Sequence, residues 1–415
     1  LTQLAEAREL EQQVKSGQSL PAPSNTLLAT SLAQYRILAG EILTARGKLE
    51  EAERALFVAL KLSERIGDAA IVGRAILATG ELYKERGDQE RASKFFYHAR
   101  SVYQKIGNTI GECQALNRMA WVNYEHCAYS QASEFARRCA ALAQQNGDKL
   151  AEAGARLILA STDYRTARYS RALEGANAVL ALAQPAGDRI LERQAMELLG
   201  LSSTAMGLYN QALMWLDQSL EIARETGARR AEACLLVGLG EVYRRQGKYQ
   251  EAIDYFTQAY EVAREFRSAR EQELALLNLG LVYKSLNYHD QALGYLRQAT
   301  ALSKEVADPI LIVEEKEALA ELQLTVGEAN EAIALSDQAI EIVQRTGLRA
   351  HQWQLLYLQG RIYKEIKQSQ RAMEKLQESI SILKAICTDI SDESSRKTYL
   401  SDKNVVLQLL AQMRG

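Results

Sequence analysis

The side chains best suited to acid–base or metal chemistry in this 415-residue chain are four histidines and five cysteines. His98, His126, His289 and His351 fall in separate stretches, and no acidic residue recurs at a fixed spacing from them. Cys113, Cys127 and Cys139 lie near His126, a set that would interest a zinc ion. Their spacings fit no zinc signature, and there is no CxxC pair. With Cys234 and Cys387 the thiols are odd in number, which fits a reducing cytoplasm. The sequence contains no GxxxxGK[ST] loop, no HExxH, no GxSxG and no GxGxxG after a strand. Carboxylates are plentiful, but without a nucleophile or ligand set beside them they read as solvated faces and weak ion pairs. We therefore expect no catalytic residue, metal or cofactor in this region; an attached catalytic or ATPase domain outside it stays open.

Any function must then come from how helices present side chains. The stretch Ala231 to Arg267 shows the unit. Leu236, Leu239, Gly240 and Tyr243 are spaced for one helix, and Ala252, Phe256 and Ala259 for a second, with Gly247 and Tyr249 in the turn. Each helix has an apolar stripe and a charged back. The glycine recurs every 40 residues as glycine or alanine: Gly40, Gly80, Ala120, Ala160, Gly200, Gly240, Gly280, Ala320 and Gly360. Twelve residues later stands an alanine each time, from Ala52 through Ala252 to Ala372. Small residues in register mark where paired helices cross, since close approach of two helix axes needs tiny side chains. Cys139 falls in another small column, with Ala99, Ala259 and Ala299, so it reads as a small buried residue.

Leu-Gly-x-x-Tyr followed by Ala-x-x-x-Phe-x-x-Ala, clearest at Leu239 to Ala259, resembles the tetratricopeptide repeat. Here the unit is longer than the common form and ends on Gly-Asp steps, as at Gly67-Asp68, Gly147-Asp148 and Gly187-Asp188. Glycine suits the left-handed residue that ends a helix and aspartate caps the next; Asp308-Pro309 does the same job. The long form is similar to arrays in kinesin light chains, Leu-Gly-Asn adaptors and the sensor regions of bacterial signalling ATPases. The resemblance implies an all-α fold, a right-handed α-solenoid of nine stacked helix-turn-helix units with terminal capping helices. We place an N-terminal helix and loop at 1–25, the nine units at 26–388 and a capping helix at 389–415. In the cap, a helix from Ser391 to Met413, the order Asp392, Arg396, Tyr399, Leu400 resembles the closing segment of repeat arrays in bacterial signalling proteins.

Composition sets limits. Hydrophobic residues at 47% supply a continuous core, and four prolines leave long helices unbroken. A net charge of -2 argues against nucleic-acid or membrane-surface partners. There is no transmembrane-length apolar run and no signal-peptide pattern. The chain opens on Leu1, and we expect it to be a piece of something larger.

By the resemblance, the first helix of each unit lines a concave groove. Two departures from the repeat stand out there. The core tyrosine kept as Tyr83, Tyr243, Tyr283 and Tyr363 becomes Asn123, Asp163 and Ser203, while Tyr124 and Tyr164 stand one position later. One position is about 100° of helix rotation, enough to turn a ring from core to groove. With Trp121, Asn117 and Arg165 this would form an aromatic patch, or the rings would simply pack on each other. The second departure is electrical: Arg244, Arg245 and Lys284 are basic, Glu314, Glu317 and Glu321 acidic, Arg361 and Lys364 basic again. Such bands would read a charged peptide, or pair neighbouring repeats. The expected function is a cytoplasmic scaffold or sensor region of a larger signalling protein, binding a peptide or protein segment in the groove. A small-molecule inducer there, by likeness to maltose-responsive activators, and a free-standing adaptor are the alternatives.

Overall fold

The 40-residue period becomes a series of helices of about five turns, separated by left-handed residues every 20 positions from Gly47 to Lys367. The computed structural model describes residues 26–401 and 403–414; the helix and loop expected within 1–25 lie outside them. The chain divides into two units, Leu1–Ile158 and Leu159–Gly415. In the first are α1 (Thr26–Ala45), α2 (Leu49–Ile66), α3 (Ala69–Glu85), α4 (Gln89–Lys105), α5 (Thr109–Glu125) and α6 (Tyr129–Asn146). The boundary falls inside α7 (Lys149–Arg165). The second holds α8 (Tyr169–Ala186), α9 (Arg189–Met206), α10 (Tyr209–Glu225), α11 (Arg229–Arg245), α12 (Tyr249–Glu265) and α13 (Ala269–Ser285). It continues with α14 (His289–Val306), α15 (Pro309–Thr325), α16 (Ala329–Thr346), α17 (Arg349–Glu365) and α18 (Ser369–Thr388), then α19 (Glu393–Ser401) and α20 (Val405–Arg414). No strand occurs among the described residues.

Each period is a helical hairpin. The pairs α1–α2, α3–α4 and α5–α6 pack in the first unit, and α9–α10, α11–α12, α13–α14, α15–α16 and α17–α18 in the second. The turn inside every hairpin places its middle residue at positive φ, from 58° at Cys127 to 89° at Gly327. Cys127, Ala167, Asn287 and Lys367 accept that conformation without being glycine, at a cost that glycine avoids. Between hairpins the Gly-Asp steps work as expected. Gly67, Gly147 and Gly187 are left-handed, and Asp68, Asp148 and Asp188 accept hydrogen bonds from the first-turn amides that follow. Asp308 accepts from the Ile310 amide with Pro309 as the first helical residue.

The small-residue columns turn out to be half of a lock. A Cβ placed on Gly240 would lie 2.5 Å from Phe256 Cε1, sixteen positions on. Gly80 meets Phe96 in the same way, and Gly40, Gly200, Gly280 and Gly360 meet Leu56, Leu216, Leu296 and Leu376. Where the column is alanine instead, at 120, 160 and 320, the residue sixteen later is Ala136, Ala176 or Ser336. Glycine faces a large side chain and alanine a small one, so the volume at the crossing is conserved. Cys139 is fully buried, and its thiol donates to the Cys113 carbonyl at 3.3 Å. In the same column Ser219 donates to the Arg193 carbonyl and Ser379 to the Trp353 carbonyl. That is the small buried role the column predicts. Burial pushes the Cys139 thiol up to about 12.

One expectation needs correction. Ser391 to Met413 is two helices, broken after Ser401. Lys403 folds back to donate to the Tyr399 carbonyl at 3.0 Å, and the chain restarts at Val405, with the Asn404 carbonyl accepting from the Gln408 amide.

Candidate functional site

In the second unit the first helices of successive hairpins touch each other directly: α9 with α11, α11 with α13, α13 with α15, and α15 with α17. The more closely approached side of a stack is its inner side, so the first helices form an inner wall of this unit. Their side chains meet across repeats. Glu321 on α15 pairs with Lys284 on α13 and with Arg361 on α17 at 3.3 Å. On α11, Glu241 takes both Arg244 and Arg245 at 2.6 Å. Burial favours the neutral form of these carboxyls, but the cations prevail: Arg244 and Arg245 hold Glu241 at about 2, and Lys284 with Arg361 lowers Glu321. Lys284 and Arg361 are thus paired with Glu321 across neighbouring repeats, whereas Arg244 and Arg245 are paired within their own helix. Lys364 is exposed on α17.

A less balanced cluster sits beside this network. His351 on α17 lies between two carboxylates of α15, with Nε2 3.7 Å from Glu314 and Nδ1 3.8 Å from Glu317. Burial works against the imidazolium, yet the two carboxylates outweigh it and raise the imidazole above its usual value. Burial dominates at Glu314 and pushes its carboxyl up, against the pull of His351 and Arg165. These side chains keep 18% (His351), 31% (Glu314) and 20% (Glu317) of their surface open. The cluster therefore remains open to a polar ligand. Sequence reasoning passed over His351 because its partners belong to the preceding repeat; comparing first helices one period apart would have found them.

The displaced tyrosines behave alike in the two units. In the first, the Trp121 and Tyr124 rings meet edge to face at 5.4 Å, and Tyr124 leans on Tyr129, which opens α6, at 5.8 Å. Asn117 is half-buried on the same helix. In the second, Tyr164 lies 6.0 Å from Tyr169, which opens α8, and the Arg165 guanidinium lies 5.9 Å from the Tyr164 ring. The rings are half-buried rather than free. The regular core tyrosines instead stack on the second helix: Tyr83 on Phe95, Tyr243 on Tyr255 and Tyr283 on Tyr295, at 5.2–5.3 Å. At the vacated core positions Asn123 donates to the Met119 carbonyl and Asp163 pairs with Arg168.

Residues 231–305 match the family model described as tetratricopeptide repeat. This stretch is built from tetratricopeptide repeats. Solved structures extend the likeness along the chain. A Rap protein complexed with competence and sporulation factor is 15% identical, covers 86% of this chain and 99% of its own, and has a TM-score of 0.67. The Rap conjugation gene regulator of the plasmid pLS20, in complex with the Phr* peptide, is 12% identical over 87% of this chain and 98% of its own, with a TM-score of 0.58. NprR in complex with its cognate peptide NprX is 16% identical over 91% and 99%, with a TM-score of 0.54. At these identities the likeness is one of fold. No curated protein sequence matches the chain. Among the described residues no helix is long and apolar enough to cross a membrane, and no three His, Cys, Asp or Glu side chains converge as a metal site.

Proposed function

We propose that these tetratricopeptide repeats are the partner-binding part of a cytoplasmic regulatory protein, and that the inner wall of the second unit holds a peptide or an unstructured protein segment. The observation that carries the reading is the wall itself: charges paired within α11 and across α13, α15 and α17, beside the less balanced Glu314–His351–Glu317 cluster. Side chains already held by their neighbours lose little freedom on binding, which favours affinity. Two proteins of the same fold are described with bound peptides. Tyr164, Arg165, Arg244, Arg245, Lys284, Arg361 and Lys364 are the contact residues of this unit in our reading. Asn117, Trp121 and Tyr124 are those of the first. The repeats run over 26–388 and the segment 389–415 caps them.

Selection of a displayed random-hexapeptide library against the full chain tests this. The expected result is an enriched consensus that the wild type binds and that Arg165→Glu and Glu314→Gln variants bind at least about tenfold more weakly, a loss of about 1.4 kcal/mol. Absence of any consensus, or equal binding by both variants, overturns the reading.

A further inference from the structure

In a stack of repeats each hairpin touches only its neighbours in the chain. The second unit departs from that where its last helices meet its first. After α18 the chain turns at Ile390, and Tyr399 of α19 enters an apolar cluster with Ala167 and Tyr169, at the turn into α8, and Met206, the last residue of α9. The Tyr169 and Tyr399 rings are 6.0 Å apart and inclined by 47°. Both sides of the contact are sealed: Tyr399 keeps 1% of its surface, Met206 2% and Ala167 none. Desolvation there pushes the phenols of Tyr169 and Tyr399 upward.

The reaching segment is braced rather than loose. Arg396 donates from Nε and Nη2 to the Ile390 carbonyl at 3.2 and 2.7 Å, which fixes the turn. Asp392 accepts from the Ser395 amide at 2.6 Å and starts α19. The Lys403 ammonium lies 3.9 Å from the Tyr399 ring centroid while donating to the Tyr399 carbonyl, so it holds the ring from behind. Val406 and Leu410 of α20 join the same cluster, which includes Leu376, Leu383 and Ile386 of α18.

We infer that residues 390–410 form an intramolecular clasp, joining the last hairpin of the second unit to the turn that begins it and fixing the spread of the hairpins between. Tyr164 on α7 and Tyr357 on α17 of the inner wall pack against the clasp cluster, so the wall has one width while the clasp is shut. Opening it bares apolar surface on both faces at once, which makes the clasped and open forms two discrete states. A ligand that fits the clasped wall holds the clasp shut, and the clasp in turn raises affinity for that ligand. The clasp needs no ligand to exist, so its test is separate from that of the peptide reading.

Hydrogen exchange read by mass spectrometry on the full chain, without ligand, tests it in wild type, Tyr399→Ala, Tyr399→Phe and Met206→Glu. Tyr399→Ala and Met206→Glu should each raise exchange at least about tenfold on both sides, in 393–410 and in 166–172. The radius of gyration from X-ray scattering should rise with it, and Tyr399→Phe should match wild type. If Tyr399→Ala unfolds the last hairpin, Met206→Glu gives the same readout from the far side of the contact. Met206→Glu leaving 393–410 as protected as in wild type would overturn the clasp, as would Tyr399→Ala loosening 376–410 alone.

Discussion

The paired columns at the helix crossing predict that one mutation should change sign with its background. In Gly240→Ala the new methyl lands 2.5, 2.8 and 3.0 Å from three ring atoms of Phe256, a side chain with no exposed surface. A ring so enclosed cannot swing away, so the helices must part. Overpacking of this kind costs about 3 kcal/mol at the upper end of its range, against about 1 kcal/mol gained by replacing glycine with alanine inside a helix. The net expectation is a loss of about 2 kcal/mol. Phe256→Ala alone opens a cavity and costs about 3–5 kcal/mol. In that background the methyl added by Gly240→Ala meets empty space, keeps its helix-propensity gain and fills part of the void. Gly240→Ala should therefore stabilise Phe256→Ala by about 1 kcal/mol while destabilising the wild type. The double variant would then carry two alanines at this crossing, as the chain itself does at Ala120/Ala136 and Ala160/Ala176. Urea unfolding followed by circular dichroism, with hydrogen exchange in α11 and α12 for the local free energy, measures all four corners of the cycle. Equal destabilisation of both backgrounds by Gly240→Ala would refute the size-matching argument.

Two further tests concern single side chains. Glu273 keeps 1% of its surface; burial, with Glu315 and Asp308 near, outweighs the help of the Ser303 hydroxyl and raises its carboxyl from 4.5 to about 7. The folded chain thus holds this proton more tightly than the unfolded chain does. Stability from this group should be lost as pH rises from about 5 to about 8, by about 3 kcal/mol. Glu273→Gln should remove that slope, and an unchanged slope would assign it elsewhere. Lys367 is exposed and left-handed at φ 60°, where five other repeats have glycine. Lys367→Gly should raise stability by about 0.5–1 kcal/mol in thermal unfolding, whereas Gly247→Ala at the equivalent turn should lower it by a similar amount.

The parts of the fold legible from sequence were those written in every period. The Gly-Asp steps declared their caps because glycine and aspartate act there through their own backbone. The glycine and alanine columns declared the helix crossing, but the residue sixteen positions on, where Phe256 and Ala136 decide how much room is needed, went unread. Its identity varies, and only its size in relation to the first column is constant. Tyr124 and Tyr164 stand one position past the core column, and their support comes from Tyr129 and Tyr169 at the start of the next helix, which a first-helix pattern omits. The Glu314–His351–Glu317 cluster and the Lys284–Glu321–Arg361 chain depend on which first helices lie side by side. The contact between Tyr399 and Tyr169 has no periodic trace at all, because it joins parts that are not neighbours in the stack.

In the proposed function a ligand lies on the first-helix side of the second unit. Photo-cross-linking tests it most directly, with benzoylphenylalanine placed singly at Tyr164, at Tyr357 and, on a second helix, at the 44% exposed Met214. With a library-selected peptide, cross-links that excess unlabelled peptide abolishes are expected from positions 164 and 357, and none from 214. Cross-linking from 214 alone, or equally from all three, would contradict it.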